Sequence, residues 1–187
     1  TKEEMKQRGW DELDVVLITG DAYIDSPFMG IAVVGRILED IGLRVGIIGQ
    51  PDVNSDIDVK RMGEPKLFWG VSGGSIDSMV SNYTATKRYR STDDYTPGGK
   101  NDKRPDRATL VYTNLIRRYF KNTVPIVLGG IEASLRRLTH YDYWSDKLRK
   151  PILFDTKADY MVYGMGEQAI MDLGNYLKEG KDPRTIR

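Results

Sequence analysis

The segment from Pro125 to Arg137 reads PIVLGGIEASLRR and predicts a strand, a tight turn and a helix. Its apolar run IVL shows no polar alternation, as expected of a parallel strand that is buried on both faces. Gly129 and Gly130 then permit a sharp turn or a positive φ angle. We expect a helix next, with Ser134 as its N-cap and Glu132 as a polar group at the carboxyl end of the strand. In open parallel sheets that edge is where ligands bind.

Outward from this segment, apolar runs and helical patterns alternate along the chain. The predicted strands are, in chain order, Leu13–Gly20, Arg44–Gly49, Lys66–Gly74, Pro125–Ile131 and Tyr160–Tyr163, with Ile152–Phe154 as a minor edge strand. The predicted helices are at residues 27–42, 52–62, 76–83, 108–121, 133–138 and 166–177. This alternation predicts an α/β protein whose doubly wound parallel sheet has about five strands.

Glycines or acidic residues follow most of the predicted strands. Because the carboxyl ends of parallel strands meet at one edge of a sheet, we expect these residues to converge there. The candidate site residues at this edge are Asp21, Tyr23, Asp25, Gly73, Gly74, Glu132, Ser134, Arg136, Gly164 and Glu167. The acids would orient polar ligand groups, the glycines would let the backbone approach a ligand, and Arg136 would meet an anionic group or a carboxylate of a partner.

Two alternatives stay open for the acids Asp21, Asp25 and Glu132. Each could cap a helix, since aspartate is a favoured capping residue. If the three acids share the edge, their hard oxygen ligands could instead bind Mg²⁺.

Two segments, residues 84–107 and 139–158, interrupt the alternation and predict insertions. The first has three more basic than acidic residues, contains two tyrosines, and shows no hydrophobic period. Long irregular segments in compact domains are usually functional or disordered. The first insertion is therefore either solvated or a basic, aromatic loop that contacts RNA, another phosphate-bearing ligand or another domain.

The composition excludes several classes of function. The 187 residues suit one domain at residues 1–177, followed by a polar segment 178–187 that is typical of a linker. The net charge of +1 gives no general case for binding nucleic acid or membranes. The absence of cysteine excludes disulfides, a cysteine nucleophile and an iron–sulfur cluster held by this chain. The single histidine, His140, excludes a histidine-rich metal site.

Common sequence motifs are also missing. There is no phosphate-binding P-loop and no dinucleotide fingerprint after the first strand, and the stretch GVSGG at 70–74 only faintly suggests the Gly-Xaa-Ser-Xaa-Gly motif of serine hydrolases. No apolar run approaches the roughly 18 residues of a membrane span, and no signal peptide is visible. We therefore expect a cytoplasmic protein.

Six stretches carry a family resemblance: RGWDELD at 8–14, GDAY at 20–23, YTPGG at 95–99, GGIEASLRR at 129–137, HYDYWSD at 140–146 and YGMGE at 163–167. Together they resemble the N-terminal region of the YgiQ family of uncharacterised radical SAM proteins. The resemblance implies an N-terminal domain, similar to the flavodoxin-like fold of cobalamin-binding domains, before a radical SAM barrel. A CxxxCxxC motif of that barrel would hold a [4Fe–4S] cluster that cleaves S-adenosylmethionine to a 5′-deoxyadenosyl radical.

The same resemblance makes this chain an N-terminal domain whose partner is the protein's own radical SAM domain, which would carry catalysis. It also raises the question of cobalamin. Cobalamin domains that ligate cobalt use Asp-Xaa-His-Xaa-Xaa-Gly after the first strand, whereas residues 25–30 here read DSPFMG. Without that histidine we do not expect this chain to ligate cobalamin, and base-off binding without a protein ligand stays open.

Three functional hypotheses follow. The first is an accessory, substrate-side domain of a radical SAM enzyme, inactive alone and with an unknown substrate. The second is a module that binds RNA or protein through the basic insertions. The third is a self-contained hydrolase or transferase on an α/β sheet.

Overall fold

The computed structural model describes residues 1–185, in which a parallel sheet has helices on both faces. The strands are, in chain order, β1 (Val15–Thr19), β2 (Val45–Gly49), β3 (Phe68–Ser72), β4 (Ile126–Gly129), β5 (His140–Asp142), β6 (Lys147–Arg149) and β7 (Tyr160–Met161). The parallel sheet has the order β2-β1-β3-β4-β7, whereas β5 and β6 form a separate antiparallel hairpin. This is the strand order of flavodoxin-like doubly wound sheets, so the predicted fold class is confirmed.

The helices connect these strands, and several begin where the sequence supplies a cap. They are, in chain order, α1 (Lys2–Gln7), α2 (Gly30–Asp40), α3 (Ile57–Lys60), α4 (Ser78–Asn82), α5 (Ala108–Tyr119), α6 (Gly130–Leu135), α7 (Ile152–Thr156) and α8 (Glu167–Lys178). A capping box between Thr1 and Glu4 starts α1. Asp77 starts α4, because its side chain accepts the N–H groups of Met79 and Val80. Within residues 1–185, no helix has the length and apolar composition needed to cross a membrane.

Two apolar layers join the helices to the sheet. Helices α2 and α8 cover one face, where they pack on Leu17 and Val127. Helices α1, α3, α5 and α7 cover the other face, over Ile18 and Leu128. Side chains alternate between the two faces of a strand, so the central strands must be apolar at nearly every position. The uninterrupted apolar runs in the sequence have this physical cause.

The structure corrects the predicted start of the helix after β4. Gly130 has a φ angle of +80°, so the chain turns immediately after the strand and α6 begins at that residue. The N-cap is Gly129, not Ser134. Ser134 instead lies inside α6, where its hydroxyl donates a hydrogen bond to the carbonyl of Gly130 at 2.8 Å.

Two other local predictions are wrong. The segment Ile152–Phe154, predicted as an edge strand, lies in helix α7, which begins after Pro151 and packs against α5. The predicted helix at 52–62 is reduced to the short α3, because the side chain of Asp52 accepts the N–H of Asn54 and holds the preceding segment in a turn.

The first insertion is ordered. Isolated β-bridges join Tyr83 to Tyr89 and Thr92 to Lys100, and a 3₁₀ turn forms at Pro97–Gly99. Several of its polar side chains are buried, namely those of Asp93, Thr96, Asn101 and Arg104. A fully solvated insertion is therefore excluded.

Helix α8 carries the chain away from the carboxyl edge of the sheet. It begins after β7 at that edge, and its 12 residues end beside the last turn of α2, where Lys178 donates a hydrogen bond to the carbonyl of Ile41 at 2.8 Å. A 3₁₀ turn at Pro183–Thr185 follows. The last two residues of the predicted linker, 186 and 187, lie outside the described residues.

Candidate functional site

Small and polar residues end the sheet at its carboxyl edge. Thr19 of β1, Ser72 of β3 and Gly129 of β4 lie side by side in the strand register. They come two residues after Leu17 of β1 and Val127 of β4, which pack under α2 and α8. Because side chains alternate along a strand, this row points to the same face of the sheet. The sheet therefore changes from apolar to polar under the first turns of α2 and α8.

Asp21, which follows β1, is only 1% exposed and belongs to a buried network. Its Oδ2 accepts the N–H of Ser75 at 2.6 Å, and its Oδ1 lies 2.8 Å from Nη2 of Arg104. Arg104 belongs to the first insertion and also pairs with Asp93 at 3.2 Å. It donates a further hydrogen bond to the carbonyl of Gly73 at 2.8 Å. These contacts hold the insertion over the ends of β1 and β3.

Glu132 is equally buried, and its carboxylate caps two helices. Oε2 accepts the N–H of Ser78 at the start of α4, and Oε1 accepts the N–H of Thr109 at the start of α5, both at 2.9 Å. The helix-capping alternative is thus the one that the structure supports for Glu132.

Gly73 and Gly74 pass between these two carboxylates. A β-carbon at Gly73 would lie 2.5 Å from Oε2 of Glu132, and one at Gly74 would collide with the carboxylate of Asp21. The φ angle of Gly74 is also positive, at +111°. The two buried acids therefore account for the glycine pair.

Tyr23 and Asp25 lie at the surface of the loop between β1 and α2. Asp25 forms an ion pair with Arg36 of α2. Partial burial of the ring and the neighbouring Asp25 carboxylate raise the pKa of Tyr23, so the phenol stays neutral at neutral pH. No group of three potential metal ligands converges within the described residues. The structure therefore gives no support to the magnesium alternative.

The remaining candidates lie on the α6 side of the edge. The hydroxyl of Ser134 accepts the N–H of Gly164 at 3.2 Å and so joins α6 to the loop after β7. Arg136 forms an ion pair with Asp77, the cap of α4, and is therefore already paired within the chain. Glu167 is exposed in the first turn of α8.

A cleft of about 430 Å³ opens at this edge, between the sheet and helices α2 and α8. Asp21, Gly74, Gly164 and Glu167 all line it. Glu132 lies behind it, next to Gly73. The structure thus brings these predicted residues to one edge, as the sequence indicates.

Exposed apolar side chains lie at the mouth of the cleft and in the segments that directly follow its lining residues. We call this set the apolar rim, and its members are Phe28, Ile131, Leu135, Leu138, Tyr163 and Met165. Phe28 is 92% exposed and Met165 is 88% exposed. Both line the mouth together with Ile131, and Leu135 follows Ile131 by one turn of α6. Exposed apolar patches of this kind mark interaction sites.

The two insertions pack on each other beside this edge. Arg107 of the first insertion forms an ion pair with Asp142 of the second, and the ring of Trp144 lies 5.3 Å, between centroids, from that of Tyr83, the residue directly before the first insertion. Burial raises the pKa of Asp142, but hydrogen bonds from Ser145 and Arg107 outweigh it, and the pKa lies below its ordinary value. These contacts account for part of the aromatic and basic content of the insertions without an RNA ligand.

Sequence reasoning misses both Arg104 and the apolar rim. No period or motif separates a buried arginine from a solvated one in an irregular segment, and the only local signal is the stretch YTPGG at 95–99. Rim residues such as Ile131 and Leu135 belong to a helical pattern that is typical of core residues. The exposure of Met165, between Gly164 and Gly166, also has no sequence signal.

Comparisons with known proteins place this fold in a family. The model of the Radical SAM N-terminal family matches residues 1–187. A UPF0313 protein of Fusobacterium nucleatum is 60% identical over 188 residues, which cover 100% of this chain and 33% of the relative. UPF0313 proteins of Methanocella arvoryzae and Bradyrhizobium diazoefficiens are 56% and 54% identical, over 97% and 100% of this chain and 30% and 28% of the relatives. The chain thus spans about a third of the length of these relatives.

Among solved structures, the fold is similar to part of TsrM from Kitasatospora setae, a radical S-adenosylmethionine methyltransferase. One structure of TsrM, with tryptophan substrate and an analogue of S-adenosylmethionine, gives a TM-score of 0.56 at 20% identity, over 90% of this chain and 26% of TsrM. Another, with cobalamin and a [4Fe–4S] cluster bound, gives a TM-score of 0.54 at 19% identity, over 91% and 25%. At this identity the likeness concerns the fold.

The family match agrees with the resemblance carried by the six sequence stretches and with the observed flavodoxin-like sheet. This chain therefore belongs to the Radical SAM N-terminal family.

Proposed function

We propose that this chain is the accessory domain of a radical SAM enzyme and is not catalytic alone. Its carboxyl edge would face the rest of the protein and help to enclose the substrate, whose identity is open. The relatives are about three times as long as the chain, so a further part of the protein exists for this edge to contact. We also propose a cytoplasmic location, where S-adenosylmethionine is made.

The apolar rim is the observation that carries this proposal. Leaving Phe28 and Met165 in water forgoes roughly 1.5–3 kcal/mol of burial free energy for each side chain. Phe28, Ile131 and Met165 of the rim line the mouth of a cleft at the edge where open α/β sheets bind ligands. A second domain that covers the rim would therefore bury apolar surface and close the cleft in one step.

The family implies a [4Fe–4S] cluster and S-adenosylmethionine for the full-length protein. The chain has no cysteine, so none of its residues fits the cluster, and the ligands must come from elsewhere in the protein. The cluster would supply the reductive cleavage of S-adenosylmethionine. The role that we propose for this chain is to help position the substrate and shield it from solvent.

Cobalamin is bound by the structural neighbour TsrM. In this chain the loop after β1 has no histidine, and its acid Asp25 is paired with Arg36. We therefore propose that the chain provides no axial ligand to cobalt. Titration of the full-length protein with hydroxocobalamin should give no absorbance change typical of imidazole ligation, and such a change would contradict this.

The docking proposal is tested in the full-length protein with Leu135→Glu and Leu138→Glu, which place charges on the rim outside the cleft. Ile57→Glu is the matched control, because Ile57 is 74% exposed on α3, away from the rim. We expect faster amide hydrogen exchange in α6 and in the loop after β7 for the rim variants only. The rim variants should also form less 5′-deoxyadenosine than the control from S-adenosylmethionine and a chemical reductant. Exchange and product yields equal to those of the control would contradict docking through the rim.

A further inference from the structure

The cleft has the size of a small-molecule site. Its volume of about 430 Å³ falls within the roughly 300–1,000 Å³ typical of ligand pockets. Leu17 and Val127 line its floor, and Val34 of α2 and Ile170 of α8 line its walls. It is mostly apolar but reaches the polar row at the strand ends, as binding pockets generally do.

The strand-end side of the cleft offers free hydrogen-bond donors. The hydroxyl of Thr19 accepts the N–H of Asp21 at 3.2 Å, and that of Ser72 accepts the N–H of Gly74 at 3.1 Å. Within residues 1–185 neither hydroxyl donates a hydrogen bond, so both protons are free to point at a ligand. Among the described residues, the hydroxyl of Ser75 has only a weak contact at 3.8 Å, with the sulfur of Met29. The first turns of α2 and α8, which also line the cleft, have no side-chain cap and add backbone donors.

The charge of the cleft argues against an anionic ligand. No lysine, arginine or histidine is among the described residues that line it. Asp21 is turned toward Arg104, and Glu167 is exposed at the surface. A phosphate or carboxylate deep in the cleft would therefore lack a positively charged side chain to neutralise it and would be costly to bury.

Two glycines keep the cleft open. A β-carbon on Gly30 would meet no atom within 4 Å, and one on Gly129 would meet only the carbonyl of Val162, at 3.9 Å. Neither glycine has a positive φ angle, so backbone geometry does not require glycine at either position. The space that they leave is part of the cleft itself.

We propose that this cleft binds a neutral, largely apolar small molecule that carries hydrogen-bond acceptors, such as ring nitrogens or carbonyl oxygens. Its ring system would lie on Leu17 and Val127, and its acceptors would meet the hydroxyls of Thr19 and Ser72. The inference concerns residues of this chain alone and does not need the docking proposal.

The test is a fluorescence titration of the full-length protein with Nile red, a neutral fused aromatic dye with a carbonyl oxygen and a ring nitrogen. We expect saturable binding with a blue-shifted emission. Gly129→Val and Gly30→Leu, which fill the cleft, should each weaken binding by at least about tenfold. Ile57→Glu is the control, because Ile57 is exposed on α3, away from the cleft and the rim, and it should leave the dissociation constant unchanged.

A second set of variants tests the acceptor requirement. Ser72→Ala should weaken Nile red binding about fivefold to tenfold, the value of one hydrogen bond, and leave the binding of acceptor-free pyrene unchanged. Circular dichroism and thermal unfolding of each variant establish that it folds.

Three outcomes would overturn the inference. The first is an absence of saturable binding to the wild-type protein. The second is binding that Leu135→Glu abolishes and the glycine variants leave intact, which would place the dye on the rim. The third is tighter binding of anionic anilinonaphthalene sulfonate than of Nile red. Failure of docking would instead appear in the hydrogen exchange of α6, so the two proposals fail separately.

Discussion

At the scale of single residues, Arg104 is the side chain on which the carboxyl edge most depends. It is 3% exposed and joins the strand-end acid Asp21 to Asp93 of its own insertion. A buried ion pair need not stabilise a fold relative to an apolar core. Removing one partner is different, because it leaves the remaining charges buried without compensation. Arg104 therefore governs whether the insertion stays in place.

The substitution Arg104→Met should lower the free energy of unfolding by about 3–5 kcal/mol, because Asp21 and Asp93 would lose their positive partner. Urea unfolding at neutral pH measures the effect. Arg88→Met is the matched control on the exposed side of the same insertion, and its effect should stay within about 0.5 kcal/mol. Equal effects of the two substitutions would contradict the buried network.

A second prediction at this scale concerns pH. The hydrogen bonds from Arg44 hold the pKa of Asp14 below its usual range, despite partial burial. Because the folded state lowers this pKa, the stabilisation is complete above the ordinary carboxyl pKa and is lost as pH falls through the folded value. Asp14→Asn should therefore cost about 1 kcal/mol at pH 7 and progressively less below pH 4.

Urea unfolding at a series of pH values between 7 and 3 measures this difference. The exposed Asp11→Asn provides the comparison. A difference between wild type and Asp14→Asn that stayed constant over the series would show that the pKa of Asp14 is not lowered by folding.

At the scale of elements, Glu132 links three helices. It belongs to α6, and its two carboxylate oxygens separately accept the first N–H groups of α4 and α5. The sequence predicts a polar residue at this position but not its partners, because Ser78 and Thr109 lie 54 and 23 residues away. Such long-range contacts have no local signature.

The substitution Glu132→Gln should destabilise the chain by about 1.5–3 kcal/mol, because the amide group has one acceptor oxygen for two N–H donors. Urea unfolding measures the loss, and hydrogen exchange should locate it at the starts of α4 and α5. The exposed Glu64→Gln is the control and should be nearly neutral. If Gln replaced Glu without loss, only one of the two caps would matter.

Element prediction succeeds where burial alone determines the pattern. The apolar runs of β1, β3 and β4 are unambiguous because both faces of each strand are covered. Element prediction fails where one backbone angle or turn sets a boundary. The positive φ angle of Gly130 starts α6 at that residue, four residues before the predicted N-cap Ser134.

At the scale of the whole molecule, the β/α alternation predicts the parallel sheet and the gathering of glycines and acids at its carboxyl edge. What the alternation does not predict is how the gathered residues are used. The buried carboxylates of Asp21 and Glu132 are bonded within the fold. Exposed Phe28 and Met165, and the hydroxyls of Thr19 and Ser72, remain available for binding. The sequence pattern identifies the two acids as polar residues at the strand ends. The exposure of Phe28 and Met165 follows only from the three-dimensional structure.

The path of α8 has a consequence for the longer protein. This helix leads the backbone roughly 18 Å from the rim before Lys178 fastens it near the end of α2. If a following domain covers the rim, the chain must return over that distance. This return requires a linker of at least about six extended residues. A protein fused directly behind α8 would therefore start roughly 18 Å from the rim.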